Sequence, residues 1–182
     1  MTSSIVRHLA QNRPFETLEE EVFVGLQLAA ARLMEPWARH LRETAELTDV
    51  QYNVLRVLRG AGPEGMRVQA VACRLITRSP DVTRLVDRLE ARGLVRRSVD
   101  EGDGRAVRLR ITEAGLVQIA PLDEGARRFL MRAMKGMDRA GLEALRDCLG
   151  EVLDATVCEG ADQGRHEMEG IPDEREAKDG EA

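Results

Sequence analysis

Aromatic residues are almost absent from this sequence of 182 residues: they make up 3% of it, with one Trp and one Tyr. A core must therefore be packed from Leu, Val, Ala and Met, and a hydrophobic content of 43% is ample for that. At roughly 150 residues per domain, the length excludes two cores of ordinary size. Cysteine is scarce as well. Cys73, Cys148 and Cys158 are an odd number at spacings no zinc motif uses, which excludes a disulfide-stapled fold and favours free thiols in a reducing compartment. Long hydrophobic runs are missing: residues 22–31 contain Gly25 and Gln27 and end at Arg32, so neither a signal peptide nor a spanning helix is expected, and the location expected is cytosolic. His8, His40 and His166 fall in three separate segments, which indicates neither a zinc site nor a catalytic triad. No metal, no cofactor and no enzymatic activity are expected.

What the chain does have is a charge asymmetry. Its formal net charge is −5, yet residues 66–110 hold 11 Arg and 6 acidic residues while the remainder holds 16 basic and 26 acidic ones. A basic segment within an acidic protein points to a polyanionic partner met by one surface. All 11 of these cations are Arg, the side chain suited to bidentate phosphate and guanine contacts.

Hydrophobic spacing then orders the chain. Residues 16–42 carry a helical stripe of Val22, Leu26, Ala29, Leu33, Trp37 and Leu41, with Pro36 expected to kink it. Thr48 and Gln51 form a T-x-x-Q capping box that opens a second amphipathic helix, ending at Gly60. Residues 66–68 fit a very short strand and residues 69–76 a third helix, with Thr77 and Arg78 as a tight connection. Ser79 followed by Pro80 predicts an N-cap and first helical position, and in the fourth helix Val82, Leu85, Val86 and Leu89 point inward. Arg84 and Asp87 then face outward, flanked by Thr83 and Arg88. Residues 94–99 and 106–111 read as a β-hairpin, Thr112 caps a further helix that Pro121 should bend, and a last helix spans residues 138–157. Residues 159–182 hold nine acidic and three basic residues with almost no large apolar side chain, which predicts a disordered acidic tail.

Two short helices joined by a tight turn and followed at once by a hairpin are the sequence order of a winged helix-turn-helix. In such a pair the second helix lies in the major groove with its N-terminal residues at base edges. Here those are Ser79, Pro80, Asp81, Thr83 and Arg84, with Arg88 one turn later placed for phosphate. The segments LTDVQYNVLRVL (47–58), SPDVTRLVDRLEARGLVRR (79–97) and DEGDGRAVRLRITEAG (100–115) resemble the MarR-type (multiple antibiotic resistance) transcriptional regulators. That resemblance implies a mainly α fold with a small β-hairpin wing: a winged helix-turn-helix at about 47–111, flanked by dimerisation helices at about 16–43 and 113–158. Residues 1–15 remain as a flexible N-terminus. It further implies that Arg105 enters the minor groove, oriented by Asp103, in keeping with the negative potential of a narrow groove. Gly104 stands where the family usually carries another Arg, and Arg67 where a capping Ser, Thr or Pro is common. A homodimeric repressor on double-stranded DNA is implied, with an inverted-repeat operator whose half-sites lie about 34–36 Å apart.

Members of the family often bind small aromatic or phenolic acids between the dimer helices and the winged domain. Trp37, His40, Tyr52 and Asn53 are the candidates for such an effector site, although each also fits ordinary core or surface packing. The urate-responsive branch has Asp where this chain has Asn53, which argues against urate. The run from Gly60 to Gly65 matches G-x-G-x-x-G, but it follows a helix and contains Pro63, so it is not read as a nucleotide loop. The hairpin tip fails as a calcium loop because Val99 occupies the first ligand position. Two other functions fit the residues: a thiol-based redox-responsive regulator, and a winged-helix protein-interaction module. Cys73 is expected to be buried and all three cysteines structural, since nothing local lowers a thiol pKa.

Overall fold

The computed structural model describes residues 4–10, 12–76, 81–100 and 106–156. Among them seven helices and three strands follow the order α1 (Ser4–His8), α2 (Leu18–Ala45), α3 (Asp49–Gly60), β1 (Met66–Arg67), α4 (Val68–Arg74), α5 (Val82–Ala91), β2 (Val95–Val99), β3 (Val107–Ile111), α6 (Glu113–Ala133) and α7 (Arg139–Ala155). The architecture is mainly α with a small antiparallel sheet, as expected of a winged helix-turn-helix. The acidic tail from residue 159 lies outside the described residues.

The helix starts follow from side chains that satisfy orphan backbone N–H groups. Thr17 accepts from the Glu20 N–H at 3.1 Å to open α2, whose first turn carries Glu19, Glu20 and Glu21 against the positive end of the helix dipole. Thr48 and Gln51 form the complete reciprocal box at the start of α3, with bonds of 3.2 and 3.0 Å. Thr112 caps α6 by accepting from the Gly115 N–H, while its hydroxyl donates to the Gly93 carbonyl at 2.6 Å. Both α2 and α6 continue through their prolines, Pro36 and Pro121.

The core is the winged unit and its supports. α3 buries Val54, Leu55 and Leu58 completely against Leu41 of α2, Ile119 and Leu122 of α6, Val86 and Leu89 of α5, and Leu109 of β3. Each such side chain contributes about 1.5–3 kcal/mol of transfer free energy. The hairpin is joined by the short strand expected at residues 66–68: the sheet order is β1-β3-β2, with Met66 opposite Leu109, and Val95 and Val99 opposite Ile111 and Val107. The glycine run at 60–65 delivers β1 to that sheet. Gly65 has φ +67° and lies so close to the Leu109 carbonyl that no Cβ fits, which accounts for the last glycine of the run by its packing on the sheet.

Two features differ from the sequence expectation. The N-terminal stretch expected to be flexible contains α1, which buries Val6 and sets Ile5 over Gly25 of α2; five helical residues are too few for a periodicity signal. The second difference is at α5. Its N-cap is Asp81, whose carboxylate accepts from the Arg84 N–H at 3.1 Å, in place of the Ser79-Pro80 start. Among the described residues no helix is long and apolar enough to cross a membrane.

Candidate nucleic-acid interface

α5 rests on the core through Val86 and Leu89, both fully buried, and turns Thr83, Arg84, Asp87 and Arg88 to solvent. The outward set expected from the helical wheel is therefore the exposed face. Arg84 doubles back on its own cap: its Nε lies 3.0 Å from Asp81 Oδ2, and its side chain is 78% exposed and free to swing outward. Ser79, Pro80, Asp103 and Arg105 lie outside the described residues.

Much of the arginine counted in the basic segment is bound within the domain. Asp100, 3% exposed, takes Arg67 at 3.0 Å and Arg108 at 2.8 Å, tying the root of the wing to the start of α4. Arg108 also donates to the Gly65 carbonyl, and Arg110 donates to the Pro63 carbonyl and the Ser98 hydroxyl. Arg92, at the C-terminal end of α5, donates to the Glu46 carbonyl that closes α2. Arg97 of β2 lies 2.6 Å from Asp87 and 2.5 Å from Glu90. Burial works against its charge, but the bonds to both carboxylates prevail and hold its pKa above the ordinary arginine value. The charge asymmetry thus has two origins, a solvent-facing set of Arg84, Arg88 and Arg96 and a set of scaffold ties.

A second feature lies on the opposite side of α3. A cavity of about 280 Å³ opens between α2, α3 and α6, walled by Leu33, Trp37, Tyr52 and Phe129, with Asp49, Asn53 and Arg56 among its polar groups. The Trp37 ring stands 5.5 Å from Tyr52, edge on, and 5.8 Å from Phe129. Asn53 is buried and accepts from Arg56 Nη2 at 3.3 Å, so the guanidinium is held at the wall. Burial, with a smaller contribution from Asp123, raises the Tyr52 pKa above its ordinary value of 10.0. Asp49 at the start of α3 and Ile76, just before residues 77–80, complete the rim.

Three of the four effector candidates, Trp37, Tyr52 and Asn53, are together in this cavity. His40 is not among its walls. It stacks behind Trp37 at 5.6 Å, shares a hydrogen bond with Thr44, and presses its Nε2 where a Cβ at Gly125 would be. One helical turn separates His40 from Trp37, and spacing alone cannot tell a wall from the packing behind it. Sequence reasoning missed Arg56 and Phe129. Arg56 stands three residues after Asn53, a spacing that marks it, whereas Phe129 arrives from a distant helix and carries no local mark.

Cys73 is exposed on α4, contrary to the expected burial, because Val71 and Leu75 take the inward positions of that short helix. Cys148 is exposed on α7, and Cys158 lies outside the described residues. Among the described residues no group of three His, Cys, Asp or Glu side chains could hold a metal ion.

Residues 45–106 match the family model described as the MarR family. The solved structure of a MarR transcription factor from Planctomyces limnophilus is 34% identical, covering 75% of this chain and 98% of that one, with a TM-score of 0.56. A MarR family transcriptional regulator from Streptomyces coelicolor, solved in complex with DNA, is 25% identical, covering 84% and 97% of the two chains with a TM-score of 0.70. The HTH-type transcriptional repressor IacR of Pseudomonas putida is 28% identical over 135 residues, which are 74% of this chain and 79% of the relative.

Proposed function

Because this chain belongs to the MarR family of transcriptional regulators, DNA-binding proteins and not enzymes, we propose that it acts as a homodimeric repressor released from an inverted-repeat operator by a small aromatic acid. The observation that carries the DNA reading is the face of α5, with its apolar side locked into the core and Thr83, Arg84 and Arg88 turned out. Ser79, Pro80, Asp81, Thr83 and Arg84 read base edges and Arg88 meets phosphate, while Arg105, oriented by Asp103, enters the adjacent minor groove. Repression is favoured by the likeness to a named repressor.

Dimerisation is supported by surface that the single chain leaves uncovered. α7 has no buried residue and presents Leu142, Leu149, Val152 and Leu153, while Leu18, Val22 and Phe23 are exposed on the first half of α2. Apolar stripes on two helices outside the core match a second copy better than they match water.

The cavity supports the effector. Its volume of about 280 Å³ suits one aromatic ring, a face of which Trp37 and Phe129 can cover. Arg56 offers a fork to a carboxylate and the neutral Tyr52 phenol a donor to a ring substituent. Ile76 of the cavity rim precedes α5 by six residues in the sequence, and we infer that a ring seated in the cavity shifts the recognition helix. Two steps test the function: selecting bound duplexes from a random pool, then titrating the complex with benzoate-type and phenolic acids. An enriched inverted repeat released by an aromatic acid is expected. Failure to enrich any duplex would reject the DNA reading, and enrichment without release would reject the effector.

A further inference from the structure

We propose that Arg97 is a positioning residue for base reading: from β2 it fixes the rotation and depth of α5 relative to the wing sheet. The inference rests on the reading that α5 enters the major groove.

Three anchor points on α5 converge on this one side chain. Its guanidinium bonds the carboxylates of Asp87 and Glu90 at 2.6 and 2.5 Å and reaches the Thr83 carbonyl oxygen at 3.4 Å. Its own backbone N–H donates to Glu90 Oε1 at 3.1 Å, so strand and side chain grip the same carboxylate. Thr83, Asp87 and Glu90 stand at i, i+4 and i+7, one line along two helical turns, so the grip extends over about 10 Å of helix axis. The apolar contact of Val86 and Leu89, with Val82 and Leu85 packed beside them, holds α5 on the core, and Arg92 ties its C-terminal end to the Glu46 carbonyl, but a hydrophobic contact is non-directional and sets the rotation of a ten-residue helix less sharply than directional bonds along its flank. A planar fork with several fixed partners removes that freedom.

Arg97 is itself 28% exposed and turned towards the helix, which separates it from the residues that meet DNA. Asp87 and Glu90 are correspondingly neutralised on the element closest to the phosphates. Base reading tolerates little misplacement, because a bidentate contact needs both of its hydrogen bonds within about 2.7–3.2 Å. Rotation of α5 by even part of a turn takes Arg84 and Thr83 off the base edges together.

The test compares two affinities at one salt concentration, for a duplex selected by the full chain from a random pool and for a random duplex. Their ratio does not depend on the fraction of protein that is folded, so a general loss of stability leaves it unmoved. Arg97→Gln is expected to lower the ratio by about tenfold or more while random-duplex affinity changes by less than about threefold. Arg97→Lys keeps the charge without the fork and falls between. Glu90→Ala removes an anchor on the flank facing β2 and is expected to lower the ratio by about threefold, which serves if Arg97→Gln does not fold. A wild-type ratio in the variants that fold overturns the proposal. A wild-type chain that prefers no duplex over another overturns the groove assignment and this proposal with it.

Discussion

Arg84 meets two demands at one residue. Its backbone N–H completes the Asp81 cap and its guanidinium rests on the same carboxylate, so without DNA the exposed side chain is folded back on the first turn of α5. Contact with a guanine edge exchanges that exposed pair, worth little in water, for a bidentate base contact. Arg84→Ala is expected to cost about 1–3 kcal/mol at the base it reads and to flatten that position of the selected sequence. Uniformly weaker binding with an unchanged sequence preference would assign Arg84 to phosphate alone. The Arg67–Asp100–Arg108 tie illustrates what the sequence conceals at this scale. Its partners are separated by 33 and 8 positions, and no periodicity or cap rule links them. In one dimension they read only as members of a basic segment with an acidic tip.

At the scale of elements, helices announced by a side-chain cap were legible. Thr48 and Thr112 each accept from an N–H three residues on, as expected, and the helices they open match the expected spans to within a few residues; Asp138 does the same for α7, whose span was expected without a cap. α5 was misplaced at its start because Ser79 and Asp81 are both good N-caps two residues apart, and local chemistry cannot choose between them. The sheet was legible in its hairpin, which follows from alternation, and in the very short strand expected at residues 66–68, but the pairing of β1 with β3 was not, because two residues carry no register signal. The cavity was legible in Trp37, Tyr52 and Asn53, which lie on two consecutive helices, and not in Phe129 on α6. Among the caps, that of α3 carries the most, since α3 contributes Val54, Leu55 and Leu58 to the centre of the core. Thr48→Ala removes the hydroxyl that accepts from the Gln51 N–H and leaves the backbone N–H bond to Gln51 Oε1 in place; it should lower unfolding free energy by about 1 kcal/mol, read as a shift of the urea midpoint at unchanged slope. No shift would mean that solvent satisfies the start of α3 equally well.

At the scale of the molecule, the described chain divides into a well-packed winged unit and helices that extend beyond it. α7 has no buried residue at all, yet its apolar positions are those of a packed helix. In the dimer we propose, a second copy supplies the missing contact and places two recognition helices on one face. Leu149→Glu and Val152→Glu replace residues that are 37% and 45% exposed and should leave the winged unit folded. They are expected to give a monomer in sedimentation and to lower affinity for the selected duplex by about 100-fold or more, since the second half-site ceases to be an intramolecular contact. A variant that stays dimeric would move the interface elsewhere.

The central claim, that two α5 helices of one dimer read two half-sites together, is tested most directly by the spacing between those half-sites. Inserting about five base pairs at the centre of the selected duplex turns the second half-site to the opposite face of the DNA, because the helical repeat is about 10–10.5 base pairs. Equilibrium titration should then show affinity falling to nearly that of a random duplex. Affinity that changes by no more than about twofold would contradict the account, since that is the behaviour of a single winged unit bound to one half-site.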